Sequence, residues 1–299
     1  MADARFRGSG VALVTPFDEG GVNEGVLREL VRFHKQEGTD ALIVCGSTGE
    51  AATMTPGEQR RALEVVLDEN AGALPVIQGC GGSDTAHVSR LAAQAAEAGA
   101  DAVLVSGPPY NKPTQKGLIA HFRAVLDAQD RPLIVYNIPG RSAVNIQPAT
   151  IATLAEDERV IGVKEACGDI SQIAELARVL PERVTIWSGN DDQTVAIMAL
   201  GGKGIISVLA NIAPRAVSRM AHLFLDGDLA GARRLQLQYL PLIAALFVES
   251  NPIPVKTAVG MLGYDVGPLR LPLTPASEDT VQRLGAAMRE AAIAQPAHA

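Results

Sequence analysis

Short apolar runs alternate with longer amphipathic runs over most of the chain. The short runs are continuous and often β-branched, which is typical of strands that are buried on both faces of a parallel sheet. Between them, apolar residues recur at the spacing of one helical face. The pattern predicts eight strands, at residues 11–14, 41–45, 75–78, 102–105, 133–136, 160–164, 184–187 and 204–208.

A helix is predicted after each strand, and two of these helices carry clear start signals. Asn23 is a favourable N-cap residue. Thr55 is followed three residues later by Glu58, which makes a capping box, and Pro56 occupies the first helical position. The eight predicted helices span residues 23–37, 56–69, 83–98, 114–128, 147–155, 170–180, 191–200 and 214–225.

The strand–helix unit repeats at intervals of roughly 30 residues, the size of a βα repeat in a parallel sheet. Eight such units predict an α/β fold of the (β/α)8 TIM-barrel type rather than a doubly wound sheet. No strand pattern follows Asp226, and further helices are predicted at residues 229–249, 254–262 and 277–294. We therefore divide the chain into a barrel at residues 1–228 and a C-terminal helical extension at residues 229–299.

Composition excludes several classes of partner. The chain has 299 residues, and its 26 basic against 33 acidic side chains give a net charge of −7. An acidic chain without a basic run argues against a nucleic-acid partner. The longest apolar stretch is far shorter than the ~20 residues of a membrane span, and the N-terminus lacks the apolar core of a secretory signal. We therefore expect a cytoplasmic protein that binds neither nucleic acid nor membrane.

The cysteines and histidines indicate neither disulfides nor a metal site. Cys45, Cys80 and Cys167 are too few and too scattered for a disulfide framework. The five histidines are dispersed, and no HExxH or paired Cys/His spacing occurs. The glycine run at residues 79–82 lacks the third glycine of a dinucleotide fingerprint. No metal and no organic cofactor is predicted.

Chemistry in a barrel of this type occurs at the C-terminal ends of the strands and in the loops that follow. The chain has only six lysines, and Lys164 alone ends an apolar strand. Alternation puts Val160, Gly162 and Lys164 on one face, which we expect to point into the barrel, with Gly162 leaving room beneath the amine. Because an apolar setting makes a lysine amine nucleophilic, this placement favours imine chemistry. The alternative is a buried lysine that is paired with Glu165 or Glu50.

Two further groups of interest lie at neighbouring strand ends. Tyr136 shares a strand face with Ile134, so we expect its phenol beside the lysine, where it can relay the protons of imine formation. The alternative is a packed tyrosine whose hydroxyl meets a backbone carbonyl. The loop at residues 45–50 combines glycines with the hydroxyls of Ser47 and Thr48, which suits a carboxylate or phosphate, although the same sequence is also compatible with a plain turn.

Six ordered motifs, together with two C-terminal segments at residues 251–256 and 269–275, carry a family resemblance. They resemble the dihydrodipicolinate synthase / N-acetylneuraminate lyase family over almost the whole chain. The resemblance implies a (β/α)8 barrel with a C-terminal helical region and the chemistry of pyruvate-dependent class I aldolases. The motifs are GSTGE at residues 46–50, PPYNKP at 108–113, YNIPGR at 136–141, GVKEA at 162–166, SGND at 188–191 and GIIS at 204–207.

Within that family, the chain is most similar to the members that condense pyruvate with L-aspartate 4-semialdehyde in diaminopimelate and lysine biosynthesis. Arg141 is the discriminating residue, and the resemblance implies that it binds the carboxylate of the aldehyde. Lys164 is then the Schiff-base lysine, so that a covalent imine with pyruvate takes the place of a cofactor. The alternative is another pyruvate-dependent aldolase or dehydratase of the family, acting on a keto-sugar acid.

The resemblance also implies a proton relay that crosses a subunit boundary. Tyr136 relays protons through Thr48 or Ser47 to Tyr110. In the family, the residue that matches Tyr110 is donated by a neighbouring subunit across a tight dimer. A homotetramer built from two such dimers is therefore expected.

The same resemblance implies how pyruvate is held. The amides and hydroxyls of Ser47 and Thr48 bind its carboxylate. Backbone groups of Gly189 and Ile206 line the rest of the pocket. The segment at residues 251–254 is expected to pack structurally rather than to react.

Some positions differ from those of family members that lysine inhibits. Those members carry polar and aromatic residues around the tight-dimer interface. In this chain a proline stands where a tyrosine is frequent and another where a histidine is frequent, so we expect weak or absent feedback by lysine. The matching positions are Pro56, Gln59, Ser83, His87 and Pro109.

Two other classes of barrel protein are disfavoured. A non-catalytic barrel that senses pyruvate or lysine would be expected to lack Lys164 or Tyr136, and both are present. A phosphate-binding barrel enzyme usually has a phosphate loop after strands seven and eight. Here the eighth predicted strand leads into Val-Leu-Ala-Asn at residues 208–211, without glycine.

Overall fold

Eight parallel strands close into a barrel in the computed structural model, which describes residues 6–293. Each strand pairs with its neighbours in chain order, and the first strand closes the barrel by pairing with the second and the last. The predicted (β/α)8 TIM barrel with a C-terminal helical extension is confirmed. The strands are β1 Gly8–Ala12, β2 Ala41–Val44, β3 Val76–Cys80, β4 Ala102–Ser106, β5 Leu133–Asn137, β6 Val160–Glu165, β7 Thr185–Ser188 and β8 Gly204–Ser207.

Helices follow the strands and cover the outside of the barrel. Eight of them, α1 to α8, alternate with the strands, and α9 to α11 form the extension. The helices are α1 Glu24–Gln36, α2 Pro56–Asn70, α3 Thr85–Ala98, α4 Gln115–Asp127, α5 Pro148–Leu154, α6 Ile170–Val179, α7 Thr194–Ala199, α8 Pro214–Leu225, α9 Leu229–Ala245, α10 Ile253–Met261 and α11 Glu278–Glu290.

The predicted capping signals start the first two helices. The Asn23 side chain accepts a hydrogen bond from the Val26 amide at 3.2 Å. Thr55 Oγ1 accepts from the Glu58 amide at 3.2 Å, and the Glu58 carboxylate accepts from the Thr55 amide at 2.8 Å. Pro56 opens α2, as predicted. These bonds satisfy amides that the helices themselves leave free.

Strand β1 starts three residues before its predicted position. Gly8 and Gly10 have no apolar side chains, so the hydrophobic pattern becomes visible only after the strand has begun. A Cβ atom at Gly10 would lie 2.7 Å from the Phe6 ring and 2.8 Å from the Ile43 side chain. The strand therefore needs glycine where it passes through the packed interior.

Several short elements and helix ends also differ from the prediction. An antiparallel pair, Phe17–Asp18 with Gly21–Val22, and a one-turn helix, Pro139–Ser142, are too short to give a periodic pattern. Helix α9 ends at Ala245, four residues before its predicted end. Residue 294, the predicted end of the last helix, lies outside the described residues.

Apolar side chains form one layer between strands and helices and a second layer inside the barrel. In the inner layer, the rings of Phe6 and Trp187 stack with centroids 4.9 Å apart. The indole Nε1 of Trp187 donates to the Phe6 carbonyl at 3.1 Å. Ile134, Tyr136 and Ile206 belong to the same layer. The interior is therefore a packed core on which the strand ends rest.

Strand β6 departs from the predicted alternation at its start. Two consecutive residues of β5 pair with Val160 and Gly162, so Ile161 is an extra residue in β6. This bulge places Val160 in the outer layer and Ile161 in the inner one. The prediction that Val160 faces the interior is therefore wrong. Lys164 keeps its predicted inward face, because the register is regular from Gly162 onwards.

The space at Gly162 is filled rather than open. A Cβ atom there would lie 2.2 Å from Cζ3 of Trp187 and 2.7 Å from the Thr185 carbonyl oxygen. The expectation that Gly162 leaves room beneath the lysine is therefore wrong, because the indole ring occupies that room. Glycine is needed at this position so that Trp187 can pack against β6.

The C-terminal extension begins at the predicted residue. Asp228 caps α9 by accepting a hydrogen bond from the Gly231 amide at 2.8 Å. Helix α9 packs against α8 and α11. The division into regions at residues 1–228 and 229–299 stays a prediction, and residues 1–5 and 294–299 lie outside the described range. From residue 6 to residue 293, no helix has both the length and the apolar character of a membrane span.

We expect Gly162→Ala to lower the free energy of unfolding by about 1–3 kcal/mol, because the added methyl group overpacks the barrel interior. Urea unfolding, followed by the fluorescence of Trp187, measures the change. Gly25→Ala is the matched control, since Gly25 lies exposed in α1 with only ordinary contacts, and alanine favours the helix there. Equal stability of the two variants would contradict this account of Gly162.

Candidate active site

Lys164 and Tyr136 lie side by side at the C-terminal ends of β6 and β5. They are partners in the strand register, and Lys164 Nζ is 4.3 Å from the centroid of the Tyr136 ring. Both side chains are buried, with exposures of 5% and 7%. Within residues 6–293 the Tyr136 hydroxyl bonds to no backbone carbonyl. The predicted adjacency is therefore confirmed, and the phenol is free for another partner.

Burial makes the Lys164 amine less basic than an ordinary lysine. Its pKa is lowered to about 7: desolvation by burial is the main cause, the negative charge of Asp191 opposes the shift, and the positive charge of Arg141 adds to it. Burial also raises the pKa of the Tyr136 phenol above its usual range. The pair thus consists of an amine that is readily neutral and a phenol that stays protonated near pH 7.

The carboxylates that were candidates to pair with Lys164 bind elsewhere. Glu50 accepts from Lys256 Nζ at 2.6 Å, in an ion pair that is almost completely buried. Glu165 accepts from Asn137 Nδ2 at 3.1 and 3.2 Å and from the Cys167 amide at 2.7 Å. Among residues 6–293, no carboxylate forms an ion pair with Lys164. The alternative that Lys164 is a buried lysine paired with Glu165 or Glu50 is therefore wrong.

Asp191 is a buried carboxylate that influences Lys164 electrostatically, without a hydrogen bond or ion pair between the two in the described residues. It accepts hydrogen bonds from Ser207 Oγ at 2.5 Å, from the Val208 amide at 2.9 Å and from the Leu209 amide at 3.3 Å. Burial raises its pKa, while these bonds oppose the rise. Asp191 therefore ties the end of β7 to the turn after β8 and places a negative charge near the amine.

Gly189 and Ile206 complete the surroundings of the lysine. A Cβ atom at Gly189 would lie 3.1 Å from Lys164 Cε and 2.7 Å from the Ala166 side chain. Glycine at this position thus leaves the lysine chain its place. Ile206 is fully buried in the inner layer of the barrel. Both residues lie at strand ends, where the sequence predicts the pocket.

The loop at residues 46–50 forms a tight turn after β2. The amides of Gly49 and Glu50 donate to the carbonyls of Gly46 and Ser47 at 3.1 and 3.2 Å. In the described part of the chain, the Ser47 and Thr48 amides have no hydrogen-bond partner. Two adjacent free amides are the arrangement that binds a carboxylate. Ser47 is exposed and Thr48 is buried.

Asn251 joins this loop to the C-terminal extension. Its Nδ2 donates to Thr48 Oγ1 at 2.9 Å. Its backbone carbonyl accepts from Arg141 Nη2 at 2.6 Å. Asn251 thus bonds to two of the predicted site residues, and the expectation that residues 251–254 pack rather than react stays a prediction.

Tyr110 lies apart from the other predicted site residues. It follows β4, its side chain is 89% exposed, and its φ of 70° is in the left-handed region. Arg141 lies in the one-turn helix after β5 and is also exposed as a residue, although its guanidinium reaches Asn251. The chain thus brings Lys164 and Tyr136 together and links Thr48 to Arg141 through Asn251, but it presents Tyr110 outwards.

Sequence reasoning missed the contacts of four buried polar residues that hold the site in place, although all four lie within the motifs and segments that carry the resemblance. Asp191, Asn251 and the Glu50–Lys256 pair contact residues that are distant in the sequence. The signal available was polarity in otherwise apolar surroundings, as in the segment NPIPVK at residues 251–256. Such polar residues are seldom buried without a partner.

The positions connected with lysine feedback lie on and beside α2 and α3. Pro56 and Gln59 line a cleft together with Gln78 and other residues of α2 and α3. Ser83 Oγ donates to the Pro109 carbonyl at 3.1 Å. Weak or absent feedback by lysine stays a prediction.

We expect the rate of imine formation with pyruvate to rise with pH through a midpoint near 7, because only the neutral amine of Lys164 attacks and its pKa is about 7. Arg141→Gln should raise this midpoint, since it removes a charge that lowers the pKa, and Asp191→Asn should lower it. Borohydride trapping of the adduct at successive times and pH values measures the midpoint. A midpoint in the range of an exposed lysine would contradict the assignment.

Known proteins are similar to the chain over nearly all of its length. A relative from Thermoanaerobacter sp. (strain X514), named 4-hydroxy-tetrahydrodipicolinate synthase, is 51% identical over 280 residues, which cover 93% of this chain and 94% of the relative. The structure of dihydrodipicolinate synthase from Aquifex aeolicus matches with a TM-score of 0.95 at 42% identity, covering 98% of this chain and 100% of that chain.

The chloride-inhibited dihydrodipicolinate synthase from Acinetobacter baumannii, solved in complex with pyruvate, matches with a TM-score of 0.93 at 38% identity. The match covers 96% of this chain and 99% of the Acinetobacter chain. The sequence profile of the dihydrodipicolinate synthetase family matches residues 5–291. The resemblance of the motifs is thereby confirmed, and the chain belongs to the dihydrodipicolinate synthetase family.

Proposed function

We propose that the chain is a lyase that condenses pyruvate with L-aspartate 4-semialdehyde, the activity of a 4-hydroxy-tetrahydrodipicolinate synthase. The observation that carries the proposal is the Lys164 amine, which is buried, has its pKa lowered to about 7 and lies against Tyr136. The names of the relatives and of the solved structures support the same activity. Diaminopimelate and lysine biosynthesis is the pathway that this activity serves.

The first half of the reaction activates pyruvate. The neutral amine of Lys164 attacks the ketone carbon, water leaves, and a protonated imine forms. The imine withdraws electrons from the adjacent methyl group, which loses a proton and gives an enamine. The free amides of Ser47 and Thr48 hold the pyruvate carboxylate at the mouth of the barrel.

The second half forms the carbon–carbon bond and releases the enzyme. The enamine carbon attacks the aldehyde carbon of L-aspartate 4-semialdehyde, whose carboxylate pairs with the exposed guanidinium of Arg141. The amino group of that substrate then attacks the imine carbon and displaces Lys164, which closes the ring. The covalent imine does the work of a cofactor, so the proposed reaction uses none.

Protons move in each of these steps, and Tyr136 is placed to transfer them. Its phenol lies against the amine and stays protonated near pH 7, since burial raises its pKa. The Thr48 hydroxyl continues the relay towards Tyr110 of a neighbouring subunit. The outward position of Tyr110, at 89% exposure, supports its donation to a second copy. A homotetramer made of two tight dimers in the cytoplasm is the assembly that we propose.

We expect borohydride with pyruvate to add a mass label to Lys164 and to no other lysine, because the other five lack a buried, unpaired amine at a strand end. Peptide mass spectrometry after reduction measures the label. Lys164→Ala should remove both the label and the activity, whereas Lys203→Ala, at the opposite end of the barrel, should keep both.

The substrate is tested in the same preparation. Turnover with pyruvate and aspartate semialdehyde is compared with turnover of 2-keto-3-deoxy sugar acids. Labelled Lys164 with activity only on the sugar acids would favour the keto-sugar alternative. An unlabelled Lys164 would reject imine chemistry altogether.

We expect mixed oligomers of Tyr110→Phe and Lys164→Ala subunits to be more active than either variant alone. In a mixed dimer, the subunit with intact Lys164 receives an intact Tyr110 from its partner, which rebuilds one complete site. Denaturing and refolding the variants together, followed by an activity assay, measures the gain. If Tyr110 served its own subunit, mixing would restore nothing.

A further inference from the structure

Asn251 lies where the C-terminal extension meets the loop at residues 46–50. Its side chain is 6% exposed. The carboxamide Nδ2 donates to Thr48 Oγ1 at 2.9 Å, and the backbone carbonyl accepts from Arg141 Nη2 at 2.6 Å. One residue therefore touches both the hydroxyl of the relay and the guanidinium that faces the aldehyde.

The bond from Asn251 fixes how the Thr48 hydroxyl can act. A threonine hydroxyl has one hydrogen to donate and lone pairs to accept with. An amide N–H is only a donor, so Thr48 Oγ1 is the acceptor in this contact. The hydroxyl hydrogen is therefore free to point at a third group, and the phenols of Tyr136 and Tyr110 are the partners that the relay supplies.

Packing alone does not explain the choice of an asparagine. Asn251 Oδ1 is buried and has no hydrogen-bond partner among residues 6–293. An unpaired buried acceptor destabilises the folded chain, so an apolar side chain would fill the same space at lower free energy. Of the two polar groups of the Asn251 side chain, only the N–H has a partner among residues 6–293, and that partner is the Thr48 hydroxyl. This indicates that the asparagine is there to bind Thr48.

A second contact holds the segment around Asn251 against the loop at residues 46–50. Lys256 Nζ donates to Glu50 Oε1 at 2.6 Å and to the Pro268 carbonyl at 2.9 Å. This pair holds the start of α10 against the same loop, two residues beyond Thr48. The position of Asn251 is therefore set by a buried ion pair and does not depend on its own hydrogen bond.

We propose that Asn251 is a positioning residue of the proton relay, which orients the Thr48 hydroxyl so that its hydrogen points along the relay. This inference rests on the proposed function. It predicts that a fast reaction needs the N–H donor of the Asn251 side chain, and that a side chain of the same shape without this donor is not enough.

Asn251→Asp and Asn251→Ala separate these two roles, because aspartate keeps the shape and loses the donor. Both variants should lower kcat by about 10- to 100-fold, the scale of a misaligned catalytic group, with little change in KM for pyruvate. A protonated carboxyl can donate to Thr48, so the kcat of the Asp variant relative to wild type should rise as the pH falls, whereas that of the Ala variant should not. An Asp variant with wild-type kcat at every pH would overturn the proposal.

A double-mutant cycle tests whether Asn251 acts through Thr48. Thr48→Val combined with Asn251→Ala should be no slower than Thr48→Val alone, and losses that multiply would reject the inference. Thr257→Val is the matched control, because among residues 6–293 its hydroxyl bonds only to the Ile253 carbonyl of the same helix, at 2.9 Å. It should keep wild-type rates.

Each rate is divided by the amount of protein whose Lys164 is labelled by borohydride and pyruvate. Misfolded protein, which is not labelled, is thereby left out of the comparison. If wild type is not labelled, the proposed function fails and this inference fails with it. If every variant is labelled and the losses multiply, only the role of Asn251 fails.

Discussion

The proposed chemistry depends on holding one amine, that of Lys164, in an apolar place without a carboxylate partner. A buried ammonium costs free energy, and a neighbouring carboxylate would relieve that cost but keep the amine protonated. Here the acidic groups that could do so are already bound by other residues: Glu50 by Lys256, and Glu165 by Asn137. Asp191 is likewise held, by Ser207 and two backbone amides. Lys164 is thus left with the electrostatic influence of Asp191 and with no hydrogen bond to any of these three carboxylates among the described residues.

The sequence was most informative where the physics is local. Strands and helices follow from periodic patterns within about ten residues, and the Thr55–Glu58 capping box is a local signal as well. Lys164 could be predicted as the candidate lysine because an amine at the end of an apolar strand is unusual. The bulge at Ile161 and the packing of Trp187 at Gly162 could not be predicted, because they depend on how neighbouring strands and the barrel interior fit together. The bond between Asn251 and Thr48 joins residues 203 positions apart, and no periodicity reports such a contact.

Because the net charge of the chain is −7, its overall charge does not attract the proposed substrates, and groups close to the site must do so. Both proposed substrates carry a carboxylate, which the overall field of the chain repels. The attraction must come from groups at short range, where solvent screening leaves the interaction strong. Free amides at Ser47 and Thr48 and the guanidinium of Arg141 are such groups, and Asn251 links Thr48 to Arg141.

The buried pair between Glu50 and Lys256 has a consequence for the order in which the protein can be made. Chains emerge from the ribosome N-terminus first and begin to fold as they emerge. Glu50 lies in the first sixth of this chain, but its partner is supplied more than two hundred residues later. Until then, the loop at residues 46–50 carries a carboxylate without its counter-ion. A product truncated before Lys256 would therefore contain every motif of the barrel and still lack the contact that anchors this loop to the C-terminal extension.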